Sequence, residues 1–355
     1  MVQRFHRPTP RWWVTMGGRS TGQPTLEQVA ARAGVGRGTA SRVINGSAQV
    51  SERSRQAVLT AVEELGYVPN QVARSLVRRR TDTVALVISE SEDRVFGEPY
   101  FAGVIRGISA AVSASHRQLV LVLSQVHDQS SPLERYLSRQ HVDGVLLLSL
   151  HGQDPLPAHL VERRLPLVLG GRPVGLAGVS YVDVGNVDGA RQGVEHLADT
   201  GRRRIATIAG PQDMGAGQDR LTGYRDVLRT HGLDTGPELV AYGDFSQHSG
   251  QQAMRELLDR VPDLDAVFAA NDPMAAGALQ VLKERGRRVP DHVAVVGFDD
   301  APMAQFTDPP LTSVHQSPEQ MGREMVALLF EQIDDAAAAG ASTILSTELV
   351  RRAST

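Results

Sequence analysis

Apolar positions fall in two rhythms along this chain. From residue 83 onward, short apolar runs recur at 83–88, 118–124, 142–149, 165–170, 179–184, 205–210, 266–270 and 293–297. Amphipathic stretches of helical length lie between several of them, at 101–115, 190–200, 217–231, 249–260 and 273–285. Continuously apolar strands alternating with helices predict parallel sheets covered on both faces, an α/β architecture. The strands are too many for one modest sheet, so two α/β lobes are expected.

The first part of the chain has helical periodicity instead. Thr25 with Gln28 predicts a capping box. Leu26, Val29, Ala30 and Ala33 then fall on one helical face, and Gly34 ends the helix. A second short helix is expected over 37–44, with Ala40, Val43 and Ile44 inward, broken by Asn45-Gly46. A third runs from the cap Ser51 to Gly66. Two short helices joined through a tight turn and closed by a third form a helix-turn-helix plan. Arg37, Thr39, Ser41 and Arg42 are the polar groups expected to face outward on its second helix. Residues 1–22, rich in Pro, Gly, Thr and Arg, predict a disordered extension.

Charge sharpens this division. Residues 1–80 carry 13 arginines and four acids, a net charge of +9, which leaves –12 on the rest of a chain whose net charge is –3. A basic head on an acidic body suggests that the head meets a polyanion. The chain has no cysteine, which excludes disulfides and thiolate metal sites. No apolar run approaches the ~18 residues of a membrane span. The apolar cluster Trp12-Trp13-Val14 is too short for a secretory signal. A cytoplasmic protein without membrane contact is expected.

Several segments resemble the lactose-repressor (LacI/GalR) family of bacterial transcription regulators. In the head these are Thr25–Ala30, Ala33-Gly34-Val35, Thr39–Gly46, Val50-Ser51 and Leu65–Asn70. In the body they are Val194–Leu197, Ala209-Gly210-Pro211, Arg220–Tyr224, Ala270-Asn271-Asp272, Val296–Asp300 and Leu311–Val314. Gly36 departs from the family's usual capping serine, and Ala40 from a more usual valine. The resemblance implies a helix-turn-helix domain over 23–69, a hinge helix and linker over 70–81, and a two-lobed domain over 82–353 like the periplasmic sugar-binding proteins (type I). Lobe 1 would take about 82–184 and 314–342, and lobe 2 about 185–312 and 343–353. Crossings between lobes are expected near 183–186, 311–315 and 341–344.

The resemblance also implies site residues. Arg37, Gly38 and Arg42 match base-reading positions, with Thr25, Thr39, Ser41 and Asn45 completing the head's DNA-facing set. Asn70, Ala73 and Leu76 match the hinge helix, where the leucine wedges into the minor groove. Arg220, Asn271 and Asp299 match residues that bind ligand hydroxyls, and Phe245 an aromatic that stacks on the ligand. Ser89 and Gln316 match further pocket positions, and Phe101 adds a second aromatic wall. The bare placement of Ser89, Asn271 and Asp299 after strand ends also suggests a cleft. Each has a structural alternative: Asn271 capping a helix, Asp299 capping a turn, Phe245 packing in a core.

The expected function is a sequence-specific DNA-binding regulator, a repressor that binds a near-palindromic operator as a homodimer. A small molecule, a mono- or oligosaccharide, would release it. A transport-type sugar-binding protein is the alternative, opposed by the basic head. Catalysis is disfavoured: there is no Gly-x-Ser-x-Gly elbow, no phosphate-loop lysine motif and no zinc-like histidine spacing. No metal or cofactor is expected.

Overall fold

The computed structural model describes residues 24–47, 49–67, 80–124, 132–152 and 154–355. The chain forms two compact units, 1–78 and 79–355. The expected N-terminal extension and the hinge segment with Asn70, Ala73 and Leu76 lie outside the described residues.

The head consists of α1 (Leu26–Arg32), α2 (Arg37–Ile44) and α3 (Glu52–Leu65). Both bonds of the Thr25–Gln28 capping box form. Gly34, at φ 67°, closes α1: Gly34 N–H donates to Ala31 O at 3.3 Å and Val35 N–H to Ala30 O at 3.0 Å. This paired closure needs a left-handed residue, which glycine adopts without a Cβ clash. The chain thereby turns directly into α2, whose N-cap Gly36 supplies no side-chain bond. Val29, Ala40, Val43, Val58 and Ala61 form the buried core.

The body contains two six-stranded sheets, of order β11-β5-β4-β3-β1-β2 and β12-β10-β9-β8-β6-β7. In the first, β2 (Gln118–Leu123) forms one edge and β1 (Thr83–Ile88) lies next to it. The sheet continues through β3 (Gly144–Leu148), β4 (Leu167–Gly170), β5 (Ser180–Val184) and β11 (Ser342–Leu345). The second holds β6 (Ile205–Ala209), β7 (Val240–Tyr242), β8 (Ala266–Ala269), β9 (Ala294–Asp299), β10 (Thr312–His315) and β12 (Glu348–Val350). All pairings are parallel except β10 with β12. Strand β1 is buried along its whole length, as expected of a strand covered on both faces.

The chain passes between lobes at Gly185, at 316–317 and at 346–347. The third passage therefore falls later than the expected 341–344. Residues 342–345 add to the first sheet, with Ser342 opposite Tyr181 and Leu345 opposite Val184. The second also shifts slightly, because 312–315 pair in register with β9. The helix Pro318–Asp334, absent from the sequence expectations, returns to the first lobe and packs on Pro99–Ala114. A Cβ at Gly107 would collide with the Glu319 carbonyl, so this contact depends on glycine. No helix among the described residues is long and apolar enough to cross a membrane.

Candidate functional site

On the head, Arg37 and Arg42 project from α2 and are exposed. Arg37 Nε pairs with Glu27 Oε1 at 2.9 Å. Thr39 and Ser41 are half-buried rather than fully outward, because helical rotation sets them on either side of buried Ala40. The Ser41 hydroxyl accepts from Asn45 Nδ2 at 3.3 Å. Gly38 is exposed, and its missing side chain leaves room beside Arg42. A Cβ built there would lie 3.9 Å from Arg42 Nη2 and within 4 Å of no other atom from beyond its neighbours and its own helix backbone. The exposed face thus presents two arginines around a bare glycine, with Thr25 exposed at the start of α1.

In the body, a cavity of about 300 Å³ opens between the two sheets, at the carboxyl ends of their strands. Arg220 dominates its base from the helix Gly215–Thr230. Its guanidinium lies 3.6 Å from the Phe298 ring centroid, and the side chain is almost fully buried. Arg220 Nε donates to Asn186 Oδ1 at 2.8 Å. Its Nη1 donates to Ala270 O at 2.6 Å and reaches Asp299 Oδ1 at 3.4 Å. Gln316 Nε2 donates to the same Asp299 oxygen at 2.5 Å.

The chain of bonds continues into the first lobe. Asp183, at the end of β5, accepts from Asn186 Nδ2 at 2.9 Å and from its neighbour Val184 N–H at 2.8 Å. Its second oxygen accepts from Arg172 N–H at 2.9 Å. Asp183, Asn186, Arg220, Asp299 and Gln316 therefore form one network that spans two of the three lobe crossings. Burial pushes the Asp299 carboxyl up to about 6, and Arg220 opposes the rise. Burial also raises Asp183 and lowers Arg220.

The other expected pocket residues divide into two groups. Phe101, Phe245, Asn271 and Gln316 line the cavity with Arg220 and Asp299. Asn271 also caps the helix Asp272–Glu284: its Oδ1 accepts from Met274 N–H at 3.0 Å. Its Nδ2 donates to Phe245 O at 2.8 Å, which leaves one amide N–H and one carbonyl lone pair of this cavity-lining residue for further bonds. Phe245 and Asp299 adopt left-handed φ values of 72° and 103°. Such conformations in non-glycine residues typically cost about 1–3 kcal/mol and persist only where surroundings hold them. Here the Asn271 amide and the Gln316 side chain hold the two residues.

Ser89 is the exception. It does not line the cavity; it is buried behind the wall, where its hydroxyl donates to Asp154 Oδ2 at 3.1 Å. Asp154 is the lining residue instead, because the segment after β3 passes in front of the end of β1.

Sequence reasoning missed Asp183, Asn186, His151 and Arg172. Asp183 and His151 both occur at or just after the carboxyl end of an apolar run, the same signal that marked Asn271 and Asp299. His151 Nδ1 bonds Asp213 Oδ2 of the opposite lobe at 2.7 Å, and Gly152 N–H donates to Asp213 O at 2.9 Å. Arg172 makes a two-pronged pair with Asp219 across the same cleft, at 3.0 and 2.7 Å. Glu90 sits behind His151 and accepts from Ser149 Oγ and Arg94 Nη1, each at 2.6 Å.

Comparison with known proteins bears on both the head and the body. The family model for bacterial regulatory proteins of the lacI family matches residues 25–70. That for a periplasmic binding protein-like domain matches residues 194–355. The HTH-type transcriptional regulator CelR of Thermobifida fusca is 55% identical over 334 residues, covering 94% of this chain and 98% of its own. The chain belongs to the lacI family of bacterial regulatory proteins. The HTH-type transcriptional repressor CytR of Escherichia coli K12 is 33% identical over 93% of this chain and 96% of its own.

Among solved structures, a CelR–cellobiose complex superposes with a TM-score of 0.76 at 54% identity, covering 94% of this chain and all of that one. A lac repressor dimer bound to operator and an anti-inducer gives 0.81 at 28% identity, covering 94% and 99%. The lacI-family head is thus a helix-turn-helix domain of a transcription regulator, and the body has the type I binding-protein fold. The transport-type alternative loses its footing with the match to the head.

Proposed function

We propose that this lacI-family regulator is a cytoplasmic repressor that binds a near-palindromic operator as a homodimer. An uncharged β-linked glucose disaccharide of the cellobiose type enters the cleft between the lobes and releases it. The protein catalyses no reaction on that sugar. The observation that carries this reading is the charge balance of the cleft. Each basic side chain described in its lining already faces a carboxylate: Arg94 faces Glu90 and Glu98, Arg172 faces Asp219, Arg220 faces Asp299, and His151 faces Asp213. Asp154 and Asp183 add further negative charge to the lining. Such a site offers hydroxyl acceptors and short-range donors but no uncommitted cation for a phosphate. Phe101 and Phe245 supply apolar walls for the C–H faces of a sugar ring. The likeness to a regulator solved with cellobiose supports the choice of disaccharide.

Isothermal titration of the full chain tests the reading. Cellobiose is expected to bind with one site per protomer, and its 6-phosphate at least about tenfold more weakly. Tighter binding of the phosphorylated sugar, or no binding of cellobiose, would overturn the assignment.

A further inference from the structure

Asp299 stands on an unusual turn. Its φ of 103° and the 52° of Asp300 are consecutive left-handed values. Such backbone persists only where its surroundings fix it. Arg220 and the Gln316 amide bond the Asp299 carboxylate. The backbone that follows is held by Asp272. This residue opens the helix Asp272–Glu284, is fully buried and does not line the cavity. Its Oδ2 accepts from Ala301 N–H at 2.7 Å. Its Oδ1 accepts from Ser313 Oγ at 2.5 Å, and the same hydroxyl accepts from Asp300 N–H at 3.0 Å. The two peptide N–H groups after Asp299 thus end, directly or through one hydroxyl, on a single buried carboxylate. Gly297 makes room for it, since a Cβ there would collide with Asp272 Oδ1. The Asp300 carboxylate bonds Arg352 Nη2 at 2.6 Å, and of the two adjacent acids only Asp299 lines the cavity. Asn271 holds the other left-handed wall residue, Phe245, through its carbonyl. Two consecutive residues at the end of one strand therefore brace both.

We propose that Asp272 is a positioning residue for the effector site. It fixes the turn over 299–301, so that the Asp299 carboxylate meets a ligand hydroxyl without rearrangement. The inference rests on the sugar reading above. A site already held in its bound geometry loses less freedom on binding, so the hold is read as affinity.

Cellobiose titration of full-chain variants tests this role. Asp272→Ala removes the acceptor for both bonds and is expected to weaken binding about tenfold or more. Asp272→Asn removes the charge but keeps the hold: its carbonyl can accept from Ala301 N–H and its amide donate to Ser313 Oγ. It is expected to stay within about threefold of wild type. Ser313→Ala cuts only the relay to Asp300 and should cost about threefold or more. With Asp299→Asn as background the acceptor is weaker, and Asp272→Ala should cost about threefold at most. A loss as large in Asp272→Asn as in Asp272→Ala would assign the effect to charge and overturn the proposal. So would an equal cost of Asp272→Ala in both backgrounds, or unchanged affinity in Asp272→Ala and Ser313→Ala. Where Asp272→Ala does not melt cooperatively, Ser313→Ala decides in its place, with no loss counting against the proposal. Failure of the wild type to bind cellobiose would instead bring down the sugar reading, and this inference with it.

Discussion

Replacing Asp299 with alanine is expected to abolish the effector response while leaving operator binding in place. Asp299 holds the only described carboxylate that meets both Arg220 and Gln316. A sugar hydroxyl bound there gains a charged acceptor, worth about 1.5–3 kcal/mol per bond, so losing two such bonds costs about a hundredfold or more in affinity. The alanine also leaves the buried Arg220 guanidinium without its counter-charge. Removing one partner of a buried pair typically costs about 3–5 kcal/mol, although Asn186 and the Ala270 carbonyl still accept from Arg220 and soften the loss here. The asparagine variant keeps the shape and one acceptor, and is the cleaner probe. Titration calorimetry for the sugar, and anisotropy for the operator, should separate the two effects. A normal sugar affinity in both variants would move the site elsewhere.

The same residue gives a pH signature. Burial lifts folded Asp299 to about 6 from its ordinary 3.8. Between those values the folded protein retains a proton that the unfolded chain has released. Its contribution to stability is therefore fully present below the unfolded value and is lost as pH rises through about 6. The asparagine variant has no such dependence at this position. Wild type should thus gain stability relative to Asp299→Asn as pH falls from 7 toward 4. Over the same range sugar affinity should weaken as the acceptor is protonated.

Substituting Arg42 with alanine is expected to erase operator preference without altering sugar affinity. The exposed guanidinium lies over the bare position of Gly38, where no side chain limits its approach to a base edge. A forked arginine contact to guanine O6 and N7 discriminates by about 1–3 kcal/mol, and a dimer makes it twice. The loss of about 2–6 kcal/mol corresponds to roughly 30-fold or more in the ratio of specific to random duplex binding. The residual, salt-dependent affinity for any duplex should persist, because the remaining basic residues still meet phosphates. An unchanged ratio would show that Arg42 does not read bases.

The head was legible because its signals are local. A capping box, a closing glycine and a four-residue apolar face lie within one or two turns of each other, and each forms as expected. The cleft was legible where a polar residue follows a buried strand, as with Asn271 and Asp299. That rule does not say which of two adjacent strand ends stands in front. Ser89 therefore fell behind Asp154. It was also not applied to Asp183, whose carboxylate is held by Val184 and Asn186 at the crossing. The helix Pro318–Asp334 carried a readable cap in Ser317 and buries Met321, Met325, Val326 and Leu329. Its place in the first lobe depends on contacts with residues some 200 positions earlier, which no local pattern records. The third crossing was misplaced for the same reason. Whether residues 342–345 join one sheet or the other is decided by the edge that β5 leaves open.

The hydrogen-bonded network from Asp183 to Gln316 spans two lobe crossings, so a ligand that rearranges it is expected to change the lobe geometry. A duplex that the protein itself selects from a randomised pool, labelled for fluorescence anisotropy, permits the most direct test. Saturating cellobiose should raise the operator dissociation constant at least about tenfold. Saturating operator should raise the cellobiose dissociation constant by the same factor, since coupling between two binding sites is reciprocal. An operator affinity unchanged at saturating cellobiose would contradict the account.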